Sequence, residues 1–207
     1  MKARDSSIFG RVLRPGAHLP DFSAPKSNRS PIETERRMDF ELQFPKEDLS
    51  VWASRYSYSA EVGEDKVAEV GSKLRRQGHL TLAQLAQVCE WKTSRTKSTL
   101  QKNTDAFVRE VTSACSDSET ERFRISVLTL LHGVSWPTAS VVLHFGHEDR
   151  YPIIDFRALE SLGVEEPYSY SFDLWWSYVQ ACRRLADRNE LTMREVDQAL
   201  WQYSEEE

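Results

Sequence analysis

Residues 131–143 read Leu-His-Gly-Val-Ser-Trp-Pro-Thr-Ala-Ser-Val-Val-Leu, and this string decides the fold class. Before it, Phe123, Ile125, Val127, Leu128, Leu130 and Leu131 leave little of the second half of residues 118–131 polar, which predicts a core helix that stops at Gly133. After it, Pro137 suits the first turn of a second helix, where its missing N–H costs nothing, and Ala139, Val141, Val142, Leu143 and Phe145 fill that helix to about Gly146. Two helices joined this tightly make a hairpin over residues 123–146. Its reversal turns backbone N–H groups outward at a helix N-terminus, a geometry that suits one phosphate without reading any base. The same turn also serves in an ordinary helical bundle.

Working outward, the apolar spacing stays helical. Leu49, Trp52, Ala53 and Tyr56 mark one face of a short helix, and residues 64–77 form a second, with Val67, Val70 and Leu74 inward and Gly78 as its stop. Thr81 with Gln84 makes a capping box for a third helix running to about Trp91. Residues 104–114 form another, with Phe107, Val108 and Val111 expected to be buried. Beyond the hairpin, residues 151–154 read as extended, Asp155 can cap a short helix ending at Gly163, and two final helices follow from Phe172 and from Thr192, the latter capped with Glu195. No segment shows sustained period-two alternation, although residues 151–154 could make one short strand. The expected class is all-α.

The 207 residues, with 40% hydrophobic and 11% aromatic side chains, are too apolar for a disordered chain, so one main core is expected. Residues 1–37 hold half of the chain's prolines, Pro15, Pro20, Pro25 and Pro31, and no periodicity; they are expected to be a disordered or loosely ordered N-terminal tail ahead of one α-helical domain over 38–207. No apolar run approaches the roughly 18–20 residues of a membrane span, the start lacks a secretory pattern, and Cys89, Cys115 and Cys182 are odd in number and far apart, so a cytoplasmic protein without disulfides is expected. The net charge of −5 argues against a nucleic-acid partner, yet residues 73–124 carry ten basic and six acidic residues, whereas residues 160–207 carry four and eleven. Lys92, Arg95 and Lys97, interleaved with Thr93, Ser94 and Thr96, suit phosphate contacts beside the hairpin, and equally a solvated loop.

The hairpin resembles that of the helix-hairpin-helix DNA glycosylases, the superfamily that includes endonuclease III. Leu131, Gly133, Val134, Thr138, Ala139, Val141 and Val142 match the family's pattern, and Pro152-Ile153-Ile154-Asp155 followed by Arg157, Leu159, Leu162 and Gly163 matches its downstream stretch, essential Asp and Leu-Gly helix end. The match covers residues 128–163. It implies a helical glycosylase-like fold, double-stranded DNA as partner, extrusion of a base, and Asp155 as the catalytic group that helps hydrolyse an N-glycosidic bond. It also implies that Gly133, Val134, Ser135, Trp136 and Thr138 contact DNA. Two departures matter: Pro137 stands where bifunctional members have a lysine, so no Schiff-base nucleophile is expected there, and Ser135 replaces the second glycine, adding a Cβ where backbone approaches phosphate. The four-cysteine iron–sulfur loop of some members is absent, since no cysteine follows Cys182.

Read from chemistry alone, a carboxylate at Asp155 can stabilise a cationic sugar and orient water, or can simply cap a helix. Trp136 can stack on a base or pack under its turn; Trp175, Trp176 and Tyr178 at helical spacing read as core. His144, His147, Glu148 and Asp149 cluster in sequence but lack a defined third ligand, so no metal and no cofactor is expected. The leading expectation is a monofunctional DNA glycosylase. Its competitors are a non-enzymatic helix-hairpin-helix module that binds DNA or protein, and a helical interaction protein unrelated to nucleic acid. An enzyme needs a cavity beside Asp155 large enough for a base, while a binder needs only a surface.

Overall fold

The computed structural model describes residues 38–58, 63–147 and 150–207, which lie within one compact unit. The expected tail, residues 1–37, and Glu148 and Asp149 of the acidic cluster lie outside the described residues. Among the described residues the chain is all-α, with no strand. The helices are α1 (Leu49–Ser54), α2 (Glu64–Gln77), α3 (Leu82–Lys92), α4 (Lys97–Leu100), α5 (Asp105–Asp117), α6 (Glu121–Leu128), α7 (Trp136–Gly146), α8 (Phe156–Glu160), α9 (Phe172–Asn189) and α10 (Met193–Glu206). None is long and apolar enough to cross a membrane.

Local chemistry sets most of these boundaries. Gly78, at φ +74°, ends α2 by donating its N–H to Leu74 O. Thr81 and Gln84 cap α3 reciprocally, as Thr192 and Glu195 cap α10. Thr104 and Ser171 accept from the third N–H of α5 and α9. Pro137 lies in the first turn of α7, and Gly133, at φ +83°, makes the reversal between α6 and α7. A Cβ on Gly133 would lie 3.1 Å from Leu100 N and 3.3 Å from Thr96 O, so the turn packs directly on the backbone around α4. Asn103 reinforces that seam, accepting from His132 N at 2.9 Å and donating to His132 O at 2.9 Å.

The helices form two sets. α7, buried along Thr138–Leu143, contacts α2, α3 and α6, and α5 packs on α3 and α6; α10 contacts α1, α8 and α9. The closest approach is between α2 and α7, where a Cβ on Gly71 would lie 2.0 Å from Phe145 O and one on Gly146 would lie 2.5 Å from Leu74 Cδ2. Between the sets, residues 151–154 run extended and buried without a strand partner. The possible short strand is therefore corrected: Tyr151 O, Ile153 O and Ile154 N bond to side chains rather than to a sheet.

Three further expectations are corrected. Phe107 is 38% exposed, because the buried stripe of α5 is Val108, Val111, Thr112 and Cys115, about 100° further round the helix. Phe123 (48% exposed) and Leu130 (61%) also face outward; Arg124 takes the inward position on α6, its guanidinium held by Tyr151 Oη and Ser118 O, while α6 itself is shorter than residues 118–131. The basic segment after α3 is not a loop but a 3-10 turn, Ser94–Thr96, leading into α4.

Two stability measurements check this packing. Gly71→Ala should cost about 3 kcal/mol or more in chemical denaturation, because the new methyl meets backbone that cannot rotate away; a loss below ~1 kcal/mol would refute the close crossing. His144 donates from Nδ1 to Tyr151 O at 2.6 Å, and burial pushes its pKa down to about 4. The unfolded chain, titrating near 6.5, then binds more protons between about pH 4 and 6.5, so this residue makes stability fall as pH drops through that window. His144→Gln should remove that part of the pH dependence.

Candidate active site

Asp155 owes its position to the extended stretch before it. Ser140 Oγ accepts from Ile154 N at 3.0 Å, Tyr178 Oη donates to Ile153 O at 2.9 Å, and His144 holds Tyr151 O. With its Tyr151 O, Ile153 O and Ile154 N held by side chains of α7 and α9, the stretch delivers Asp155 to the start of α8. There Oδ1 accepts from Ala158 N at 2.9 Å as an N-cap, and Oδ2 accepts from Lys92 Nζ at 2.8 Å. The Asp155 side chain is 12% exposed. One oxygen builds the helix and the other faces the end of α3.

Asp155 opens into a cavity of about 650 Å³ between the two helix sets. Lys92 and Arg95 line it from the end of α3 and the turn after it, Ser135, Pro137 and Thr138 from the start of α7, and Arg194 and Asp197 from α10. Aromatic rings complete the wall: Tyr58 meets Trp91 edge-on at 5.8 Å and Trp201 at 5.4 Å, with Tyr58 Oη anchored on Trp91 O at 2.7 Å. A volume of this size lies within the roughly 300–1,000 Å³ of small-molecule sites, and flat apolar walls with a few convergent charges suit a planar polar ligand.

The charges are arranged in linked pairs. Arg194 donates to Glu64 through Nε at 2.8 Å and through Nη2, to Tyr56 Oη at 3.1 Å, and through Nη1 to Asp197. Its guanidinium also lies over the rings of Tyr56 at 4.8 Å and Trp91 at 5.5 Å. Asp197 is 4% exposed; burial pushes its pKa up to about 7 against the pull of Arg194, and the Asp155 carboxylate adds to the rise. Burial also raises the Tyr58 hydroxyl, with Lys92 opposing and Asp155 adding.

Of the residues singled out in the sequence, Lys92, Arg95, Ser135, Thr138 and Asp155 share the cavity wall, together with Pro137. Gly133, Val134 and Trp136 do not line it: Gly133 backs onto α4, Val134 is 6% exposed in the core, and Trp136 packs partly buried against that core. Lys97 is largely exposed and pairs with Glu90 at 2.8 Å. Among the described residues, no group of three His, Cys, Asp or Glu is placed to hold a metal ion. The three cysteines are buried and unbridged.

Sequence reasoning missed the opposite wall. Tyr56, Tyr58, Arg194, Asp197 and Trp201 all line the cavity, yet none belongs to the segment around residues 128–163. One signal was present. Met193, Val196 and Leu200 mark the inward stripe of α10 at i, i+3 and i+7, and Asp197 occupies i+4, a carboxylate on a buried face that needs a partner or a purpose. Compared with protein-family models, curated proteins and solved structures, the chain matches none.

Proposed function

We propose that this chain is a DNA glycosylase-like protein, a monofunctional hydrolase of the N-glycosidic bond of a damaged or modified base, with residues 123–146 as its helix-hairpin-helix motif and double-stranded DNA as its partner. The observation that carries the reading is the cavity at Asp155, bounded on one side by the first residues of α7 and roomy enough for an extruded base. As the glycosidic bond lengthens, positive charge builds on the sugar. A carboxylate fixed by its own helix cap meets that charge without reorganising, and its free lone pairs can orient the attacking water.

Water, rather than an amine, fits as nucleophile. Pro137 offers none, and Lys92 Nζ is already engaged with Asp155 Oδ2 at 2.8 Å. Arg95 lies at the cavity and Lys97 on the adjoining surface of α4, where they suit flanking phosphates. One observation favours the second reading, a non-enzymatic helix-hairpin-helix module that binds DNA or protein: both oxygens of Asp155 already have protein partners, as a purely structural cap would.

A screen of duplexes carrying damaged or modified bases separates the two. The enzyme should release a free base, leave the abasic strand uncut, and give no covalent adduct with borohydride; a trapped adduct would assign Lys92 as a nucleophile. Asp155→Asn keeps the size and much of the capping ability of the side chain. It should lower base release on the order of a hundredfold while DNA affinity changes little. Undiminished release would remove Asp155 from catalysis. DNA affinity should fall steeply with salt, and replacing Arg95 and Lys97 by Ala should weaken binding to all sequences alike and reduce the salt slope by about one to two. Salt-independent binding would refute phosphate contact.

A further inference from the structure

Side chains cap α3, α5, α8, α9 and α10: Thr81, Thr104, Asp155, Ser171 and Thr192 each accept from a backbone N–H of the first turn. The start of α7 is left open. Ser135 at its N-cap makes no such bond, Pro137 has no N–H to offer, and among the described residues the Thr138 N–H meets no acceptor. The Thr138 hydroxyl is unused as well. Thr112 and Ser140, also on helices, return theirs to Val108 O and Pro137 O at 2.7 Å, yet among the described residues Thr138 Oγ1 has no partner, although the residue is only 1% exposed. It lines the cavity beside Ser135 and Pro137. A buried hydroxyl left unbonded costs free energy, and this one stands at a helix N-terminus that faces a cavity.

We propose that Thr138 is a catalytic residue of this site, donating hydrogen bonds from Oγ1 and N–H to a carbonyl oxygen of the extruded base, so that bases bearing such an oxygen are the substrate class. This deepens the glycosylase reading and rests on it. Three properties point to an oxygen. A carbonyl oxygen has two lone pairs and takes both donors, whereas a ring nitrogen has one. The positive end of α7 favours an atom that gains negative charge. The burial of Thr138 in a concave wall suits a flat ring that enters the cavity, rather than a phosphate on the duplex surface.

The step balances without a proton donor on the protein. The C1′–N bond breaks, its electron pair passes into the base and onto the carbonyl oxygen, and the hydrogen bonds from Thr138 strengthen as that charge grows. Water bonds to C1′ and releases a proton, and the base anion takes one up from solvent. The fold ties this donor to Asp155. Ser140 Oγ donates to Pro137 O at 2.7 Å and accepts from Ile154 N at 3.0 Å, so one hydroxyl links the residue before Thr138 to the residue before Asp155. The charges that develop on base and sugar are then met by two groups held in fixed register.

Three measurements on the full chain test this. Free bases are titrated in and followed by the indole N–H NMR signals of Trp91 and Trp201, which line the cavity. Hypoxanthine should bind about tenfold more tightly than purine, which lacks its carbonyl oxygen; Thr138→Val should erase that preference and Thr138→Ser should keep it. Equal binding of the two, no binding of hypoxanthine, or a preference that survives in Thr138→Val overturns the proposal whatever the activity. Base release is then compared on duplexes carrying uracil or hypoxanthine and on one carrying ethenoadenine, which has no carbonyl. On the first two, Thr138→Val should lower kcat about thirtyfold or more, a loss about tenfold greater than on ethenoadenine, and Thr138→Ser should restore most of it. Equal losses on all three overturn the catalytic role, and release of ethenoadenine alone overturns the substrate class; both leave the glycosylase reading untouched. Because the hydroxyl has no partner in the fold to lose, Thr138→Val should unfold at the same or a higher urea concentration; a midpoint lowered by about 0.5 M or more means that the hydroxyl serves the fold and overturns the proposal. Should no duplex lose a base, the glycosylase reading and the catalytic role fail together, and the free-base titration still decides the carbonyl site.

Discussion

A buried extended stretch has to satisfy its backbone somewhere, and among the described residues no strand lies beside residues 151–154. Ser140 and His144 on α7 and Tyr178 on α9 hold Ile154 N, Tyr151 O and Ile153 O instead. The consequences spread from there. The stretch ties α7 to α9, separates the helices packed around α7 from those packed around α10, and leaves a cavity between them. It also fixes the place where the next helix begins, and so where Asp155 stands. Burial holds the His144 pKa low against the opposing effect of its bond to Tyr151 O, so it serves this purpose as a neutral donor.

The cavity itself is costly to stability. Carboxyl groups withdrawn from water destabilise the fold unless partnered, and the partners here are stretched thin: one guanidinium serves Glu64, Tyr56 and Asp197 together. Asp197, with a pKa raised above that of the unfolded chain, makes stability fall as pH rises from about 4 to about 7, opposite in sign to His144 over much of the same window. A core built for stability alone would place an apolar side chain at that position of α10. Instead a carboxyl group stands on the inward stripe and faces a cavity with aromatic walls.

Net charge is a poor guide to such a site. The chain carries −5 overall, yet Lys92, Arg95, Arg157 and Arg194 converge on one cavity. Field at a concave, poorly solvated surface depends on the few charges lining it, and distant carboxylates on α10 and the chain end are screened within about 8–10 Å. The segment from Lys92 to Lys97 shows how local the distinction is: Lys92 is drawn inward to Asp155, Arg95 reaches the cavity, and Lys97 turns outward to Glu90.

The sequence alone determined the elements whose causes are local. Gly78, the Thr81–Gln84 and Thr192–Glu195 boxes, Pro137, Gly133 and the Asp155 cap were all legible, because each is a contact within a few residues of itself. Periodicity misjudged Phe107, Phe123 and Leu130, since apolar type says that a residue can be buried and only packing says which flank of a helix is covered. The site divided along the same line. Asp155 could be named from its own segment, but its pairing with Lys92 spans 63 positions, and the wall of Tyr58, Arg194, Asp197 and Trp201 exists only where helices distant in sequence meet. Capping energies act along the chain and can be read from it; a cavity, and the protonation of a carboxyl group inside it, arise from desolvation, which only the tertiary structure decides.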